Sequence, residues 1–368
     1  MERTGLTRST VLGLCEELSE LGWFRELPDA RSTDTYQKGR PARRYAFDPD
    51  AARVVGIDAG QHRIAVSVAD LTGTVLHTGH VTIPDDVADQ IDRRQTVLDL
   101  LTDTLADTPG DGSKPILAVV AGIPAPVSVV GDSPPDGGFW PRMNAGIGAA
   151  LTAPGRVVRV ENDANLAAVA ERSAGVAVDV SSFATLLSGE RFGAGLIVDD
   201  NLLHGDGGAG ELRLLQLVMG VEGADGLARV AREELHRAIS QGEVEEHSPL
   251  RAATAEGHEV EVVLREARVG DPVAQRIADG LADRLARVCA VVATMLGLEL
   301  VVVAGALAPA LGPLVADAQE RLTQFSQPPL PRLEASSLGG DVVLTGALHQ
   351  AQQLVWADPL SFSLEPTG

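Results

Sequence analysis

Aromatic side chains make up only 3% of this chain of 368 residues, so aliphatic packing has to carry its cores. Cysteine is nearly absent. Cys15 and Cys289 fall in separate predicted helices and read as ordinary buried thiols rather than a disulfide. No stretch approaches the roughly 18 uninterrupted apolar residues of a membrane span, and the N-terminus lacks the apolar run of a signal peptide. No membrane partner is expected, and the expected location is cytoplasmic. Basic residues are in the minority, 30 against 51 acidic, for a net charge of -21. Residues 1–53 carry nine of each sign and are neutral, so the whole deficit falls on the rest of the chain. An acidic body of that kind repels nucleic acid, and any DNA contact must come from the N-terminal segment. What the chain does have is apolar content, 45%, and a length that calls for two or three compact units rather than one core.

Thr4-Gly5-Leu6-Thr7 reads as a turn with Thr7 as an N-cap. From Arg8 onward, Val11, Leu14, Cys15, Leu18 and Leu21 recur at three- and four-residue spacing, which predicts a helix with one buried stripe, ended by Gly22. Trp23 to Leu27 is a short strand, and Arg44 to Phe47 is its expected partner. Between them runs a polar loop, 28–43, with Arg31, Lys38, Arg40 and Arg43 set against Asp29 and Asp34. Helix, strand, basic loop, strand is the back half of a winged helix-turn-helix.

Three strands follow, Val54–Asp58, Ile64–Asp70 and Thr74–Thr82, joined by tight turns. A helix is predicted from about Asp86 to Leu105, then a buried strand from Ile116 to Val120. The same grammar recurs with Val157–Val160, a helix over Ala164–Ala174, and strands Phe183–Leu187 and Ala194–Val198. Two long helices, about 226–240 and 271–297, lead to strand Leu300–Ala304. A last apolar strand, Val342–Leu344, precedes a helix over Ala347–Trp356. Two α/β lobes that open on a three-stranded meander suggest the actin-like ATPase (ribonuclease H-like) arrangement. The expected division is a partial winged helix-turn-helix over 1–48, a first lobe over 53–165 and a second over 166–368. The C-terminal helix is a candidate to return to the first lobe.

The stretches Val55-Gly56-Ile57-Asp58-x-Gly60, Gly122-Ile123-Pro124-x-Pro126-Val127 and Glu161-Asn162-Asp163-Ala164-Asn165 occur in that order, followed by Gly193-Ala194-Gly195, Gly210-Glu211 and Ala304-Gly305-Ala306. Over nearly its whole length the chain thereby resembles the ROK family of repressors and sugar kinases. Glu-Asn-Asp-Ala-Asn is the most specific part of the match. The basic N-terminal segment is similar to the family's regulators, whose wing matches Gly39-Arg40-Pro41.

In the kinases of that family the aspartate of Asn-Asp-Ala-Asn takes the proton of the attacking sugar hydroxyl. The resemblance assigns that position to Asp163, with Asn162 and Glu211 as further sugar contacts. Asp163 could instead simply cap the helix that follows. The phosphate loops depart from the family. Asp58-Ala59-Gly60-Gln61-His62-Arg63 stands where the kinases have Asp-x-Gly-Gly-Thr-Lys, and Gly189-Glu190-Arg191-Phe192-Gly193 where they have Gly-Thr-Gly-Ile-Gly. Asp58, Gly60, Gly189 and Gly193 are thus vestiges of a cradle that needs unobstructed backbone N–H groups. Arg191 fills a glycine position, and Glu190 is expected to put negative charge where polyphosphate would sit. Arg63 and Arg191 either bind phosphate or are solvated and paired with acidic neighbours. The family's zinc site fails too, with Leu214 at its histidine and no cysteine between Cys15 and Cys289. No cofactor and no metal are expected.

The resemblance implies a transcriptional regulator, expected to repress, working as a homodimer. It would bind operator DNA through Thr7, Arg8, Ser9, Thr10 and Arg40 and a sugar-like effector in the cleft. The alternative is an ATP-dependent sugar kinase acting on a hexose or N-acetylhexosamine with Asp163 as base. The helices that usually precede such a turn are missing before Thr4. Either Met1 is an internal methionine of a longer product, as the intact pattern over 4–47 favours, or the segment is truncated and partly folded. The mass of the native protein should exceed that of a chain starting at Met1; a mass equal to it refutes the longer product.

Overall fold

The computed structural model describes residues 5–27, 43–84, 87–88, 90–110, 112–135, 138–256 and 258–364. Most of the predicted basic loop, Arg40 included, lies outside the described residues, as does Thr4. The chain opens with helix α1 (Arg8–Glu20) and an antiparallel pair, β1 (Phe24–Leu27) and β2 (Arg44–Phe47). Thr7 does cap α1, its hydroxyl accepting from the Thr10 N–H at 3.3 Å. The buried stripe expected on α1 is not there. None of its residues is buried, Leu14 is 44% exposed and Cys15 only half-buried, while Leu18 of the same stripe packs partly buried on the core. Trp23, by contrast, is buried.

Two five-stranded sheets follow with the same plan. The first contains β3 (Arg53–Ala59), β4 (Arg63–Ala69), β5 (Val75–Thr82), β6 (Ile116–Ile123) and β7 (Val157–Asn162), in the order β5-β4-β3-β6-β7. Helix α2 (Arg93–Ala106) lies against β4 and β5, and the short α3 (Phe139–Asn144) and α4 (Ile147–Leu151) precede β7. Helix α5 (Asp163–Ala174) then leads into the second sheet: β8 (Phe183–Ser188), β9 (Phe192–Val198), β10 (Asn201–Leu202), β11 (Leu300–Ala304) and β12 (Arg332–Ala335), in the order β10-β9-β8-β11-β12. In both sheets a meander is extended by strands parallel to its first member. Helices α6 (Leu227–Ser240), α7 (Pro249–Glu256), α8 (Glu259–Arg268) and α9 (Pro272–Leu296) pack on one another and share an apolar cluster with the second sheet, α10 (Gly312–Arg321) packs on α9 and β12, and α11 (Val342–Ala357) closes the fold.

Two expectations need correction. Helix α2 starts at Arg93, capped by the Asp92 carboxylate, not near Asp86. Val342–Leu344 is the first turn of α11 and not a strand. A buried run of three apolar residues fits either state. The neighbouring strand is instead Arg332–Ala335, where short alternation concealed it.

Helices α5 and α11 pack on each other between the sheets, α11 on β3 and β6 and α5 on β8 and β9. Small residues set the spacing. A Cβ on Gly346 would overlap the Leu166 carbonyl of α5, and one on Gly195 of β9 would overlap the Ala164 carbonyl. A single apolar cluster consequently joins Trp23, Val54, Leu166, Ala304, Val343 and Val355, linking the N-terminal segment, both sheets and both central helices. Gly346→Ala should destabilise the protein by about 1–3 kcal/mol or more, since the obstacle is backbone and cannot rotate away; urea unfolding measures the loss.

Candidate functional site

The C-terminal ends of the parallel strands from both sheets face one cleft, the place where open α/β sheets carry ligands. Asp58 stands near the end of β3, Glu161 and Asn162 end β7, and Asp163 opens α5. Burial pushes the Asp163 carboxyl up to about 8, with the Asp58 and Glu211 charges adding to the rise and the Ala164 N–H opposing it. Burial likewise pushes Asp58 up to about 7, against Arg63, the Gly60 N–H and Arg93, with Asp341 adding to the rise. Both residues keep some accessible surface, but their carboxyl groups lie deep enough that lost hydration dominates. Glu211 is raised by the same cause, opposed by Arg213 and Arg191. Asp163 thus feels the charges of both Asp58 and Glu211.

The cap of α5 is Asn162, not Asp163. Its Oδ1 accepts from the Ala164 and Asn165 N–H groups at 2.9 and 3.2 Å, and its Nδ2 donates to the Ala125 carbonyl at 3.0 Å. That relieves Asp163 of the capping role, although its Oδ1 accepts from the Ala164 N–H at 2.8 Å. Sequence reasoning passed over Glu161, which is buried and holds this corner. Its Oε1 accepts from the Asn162 N–H and from Asn165 Nδ2, both at 2.9 Å, and its Oε2 lies 2.9 Å from His204 Nε2. The Glu161 hydrogen bond raises the His204 pKa, burial opposing it. Glu161 could have been suspected because it heads the Glu-Asn-Asp-Ala-Asn motif; His204 had no signal of its own.

Protein groups brace both phosphate loops. In the first, Gly60 turns its N–H onto the Asp58 carboxylate. The buried Arg93 guanidinium donates to the carbonyls of Ala59 at 2.7 Å, Gly60 at 2.5 Å and Gln61 at 3.4 Å. In the second, the Gly189 N–H donates to the Arg191 carbonyl at 3.3 Å, and the Glu190 carbonyl accepts from the Gly226 N–H at 2.9 Å. Glu190 does not project a bare charge: Arg232 holds it bidentately at 2.9 and 3.2 Å. Arg63 pairs with Asp341 at 3.0 Å, and Arg191 lies 3.9 Å from Asp225. The segment after Glu211, where the resemblance puts zinc ligands, is braced by Arg284. Its guanidinium donates to Val221 at 2.6 Å, Gly223 at 2.9 Å and Asp225 at 2.8 and 3.2 Å. Zinc does not fit these groups, and among the described residues no cluster of three or more His, Cys, Asp or Glu could hold a metal.

Thr7, Arg8, Ser9 and Thr10 lie exposed at the start of α1, far along the chain from the cleft, with the Thr7 hydroxyl hydrogen-bonded to those of Ser9 and Thr10. Among the described residues, no helix is long and apolar enough to cross a membrane.

The profile of the ROK family matches residues 54–354. No curated protein sequence gives a significant match. Among solved structures, a ROK family transcriptional regulator, a homolog of the E. coli MLC protein, superposes with a TM-score of 0.66 at 21% identity, covering 96% of this chain and 92% of that one. A ROK glucokinase from Streptomyces griseus, solved with glucose and AMPPNP, gives 0.60 at 23% identity over 82% of this chain and 100% of its own. A ROK hexokinase from Thermus thermophilus gives 0.59 at 23% identity over 83% and 99%. At these identities the likeness establishes the fold: mixed α/β with two multi-stranded sheets, as in ROK sugar kinases.

Asp163→Asn removes a carboxyl whose ionisation the fold disfavours. A raised folded pKa stabilises below the unfolded value, about 3.9, and that contribution is lost as pH rises through the folded value. The variant should therefore melt higher than the parent near about pH 9 and equally near about pH 4, as read by thermal denaturation across pH.

Proposed function

The chain belongs to the ROK family, and from that premise we propose that it is a transcriptional regulator that senses a sugar-like metabolite, not a kinase. The observation that carries this is the span of α11. At its start, Arg63, which also acts on Asp58, donates to Asp341 Oδ1 at 3.0 Å and to the Gly340 carbonyl at 3.4 Å. At its far end, about 24 Å away at 1.5 Å per residue over 16 residues, Trp356 lies 5.3 Å from Phe47 and 6.5 Å from Trp23, ring to ring. Its indole N–H donates to the Leu71 carbonyl at 3.2 Å. One helix therefore touches the cleft and the N-terminal segment, a connection a regulator needs and a kinase does not.

In this proposal residues 1–48 are the back half of a winged helix. Thr7, Arg8, Ser9 and Thr10 present the start of α1 to base edges, and Arg40 is the wing-tip contact to phosphate or minor groove. Residues 53–165 and 166–368 are the two lobes, with α11 packed back onto the first. Asp163, Asn162 and Glu211 contact the effector, and two copies of the chain span an operator. Ligand that prefers one lobe arrangement shifts α11 and with it the head. The internal contacts of the phosphate loops support sensing without phosphoryl transfer, since the Gly60 N–H is taken by Asp58 and the Gly189 N–H by the Arg191 carbonyl.

The kinase alternative keeps one specific support: a carboxyl at about 8 on Asp163 suits a general base near neutral pH. Two measurements separate the alternatives. Selection from a random duplex pool should yield a preferred sequence whose binding weakens with salt and with Arg8→Ala. Trp356→Ala should retain DNA affinity while losing most of the ligand response. Magnesium-dependent sugar phosphorylation that vanishes in Asp163→Ala would overturn the proposal.

A further inference from the structure

We propose that His204 and Glu161 form a pH-sensitive latch between the two sheets. With the imidazole doubly protonated, the latch holds the loop 204–210 against the first lobe, and loss of one proton releases that loop. The latch goes beyond the regulatory proposal and does not depend on what the cleft binds.

Glu161 lies in β7 and His204 follows β10, each an edge strand of its own sheet. The 2.9 Å contact of Glu161 Oε2 with His204 Nε2 therefore joins one edge to the other. Glu161 is buried and His204 half-buried. Two N–H donors, from the Asn162 backbone and the Asn165 side chain, already occupy Glu161 Oε1. A carboxyl group that meets donors at both oxygens matches a carboxylate, which only accepts. The His204 ring in turn faces two acceptors, Glu161 and the Leu202 carbonyl. A neutral imidazole has one N–H to share between them, whereas the imidazolium has one for each. The Glu161 hydrogen bond accordingly raises the His204 pKa, with the Glu161 charge and the Leu202 carbonyl adding to the rise and burial and the Arg159 charge opposing it. Arg159 belongs to β7, and on the loop itself Asp206 is exposed two residues on.

The loop that the pair holds supports itself poorly. Gly205, Asp206 and Gly207 follow one another in the left-handed region, with φ of 49, 56 and 80°, a conformation that has to be imposed on a residue with a side chain. Both ends of the loop belong to the second sheet, the Leu203 N–H donating to the Leu196 carbonyl at 2.9 Å and the Ala194 N–H to the Gly210 carbonyl at 3.2 Å. Between those ends it reaches the first lobe through His204 on Glu161 and through Gly207, where a Cβ would come within 2.7 Å of the Val127 carbonyl. Asp206, Gly207 and Gly208 line one side of a cavity of about 270 Å³, and Ser128, Asp132 and Ser133 of the first lobe line another. Release of the loop therefore opens that cavity. A neutral ring leaves one of its two acceptors without a donor and removes the attraction between opposite charges. Because the folded pKa is raised, the contribution of the latch is complete below the unfolded histidine value of about 6.5 and is lost as pH rises through the folded value.

The test is NMR on the full chain, with His204 assigned through its backbone. In the parent protein His204 should titrate above the ordinary value of about 6.5, and Glu161→Gln should bring the midpoint to that value or below it. Hydrogen exchange reads the loop through the Gly207 and Ala209 amides, which donate to the His204 carbonyl at 2.8 and 3.2 Å. Their protection factors should fall at least about tenfold between about pH 6 and about pH 9. They should stay level in His204→Gln, whose amide keeps an N–H donor but cannot gain a charge. A parent His204 that titrates at or below about 6.5 overturns the latch, and that measurement requires no variant to fold. A fall that persists in His204→Gln assigns the effect to another titrating group, such as Asp163, and overturns it too. Protection that ignores pH while His204 titrates high leaves an ordinary ion pair and overturns the switch.

Discussion

The contact on which the rest of the molecule depends is the close approach of α11 to α5 in the space between the two sheets. Helices meet at this distance only where side chains are small, and here Gly346 sits directly on the Leu166 carbonyl. A chain with so few aromatics gains its packing enthalpy from many such short aliphatic contacts rather than from a few large rings. The consequence is positional. Helix α5 carries Asp163 at its first turn, and α11 crosses beneath the strand that carries Asp58. Whatever shifts one central helix shifts the geometry of both carboxyls. The aromatic residues that the chain does have at its joint, Trp23, Phe47 and Trp356, gather where the N-terminal segment meets the far end of α11.

A second theme is the use of arginine against backbone. In a chain with so large an acidic excess, most guanidinia would be expected on carboxylates. Arg93 and Arg284 instead sit buried and spend their donors on carbonyls of two loops, the first phosphate loop and the segment after Glu211. Planar geometry with five donors lets one side chain satisfy three or four acceptors that would otherwise be costly to bury. The family resemblance implies phosphate and zinc at those two loops. Here Arg93 and Arg284 tie the carbonyls of those loops from within the protein.

Most strands and the glycine turns were legible because short continuous apolar runs and obligatory close approach leave marks in the sequence: Gly56, Gly122 and Gly195 all lie where a neighbouring helix leaves no room for a Cβ. The Glu-Asn-Asp-Ala-Asn motif marks the corner where β7 meets α5, and its Asp163 feels the charges of Asp58 and Glu211. Three things were not legible. Val342–Leu344 gave no period with which to choose between helix and strand. Capping by Asn162 rather than Asp163 depended on a boundary shift of one residue. Arg93, His204 and Arg284 act through backbone carbonyls or through a partner far away in the chain, such as Glu161 for His204, and such bonds impose no spacing rule on a sequence.

These features bear on how a signal could leave the cleft. The lobes share a continuous apolar core, which makes their packing expensive to disturb. The N-terminal segment is different: α1 buries none of its residues, and its attachment runs through Trp23, partly buried neighbours such as Phe47, and ion pairs of Arg43 to Glu16 and Glu26 with all three side chains half exposed. Exposed pairs of that kind hold position weakly, each contributing about 0–1 kcal/mol. A coupling free energy of about 1–3 kcal/mol, the usual range between linked sites, is small beside the core and comparable with this attachment. On the regulatory proposal, effector binding therefore needs no hydrolysis to be heard at the head. It has only to favour one lobe arrangement over another, because α11 runs from the Arg63–Asp341 pair to the aromatic joint at Trp356.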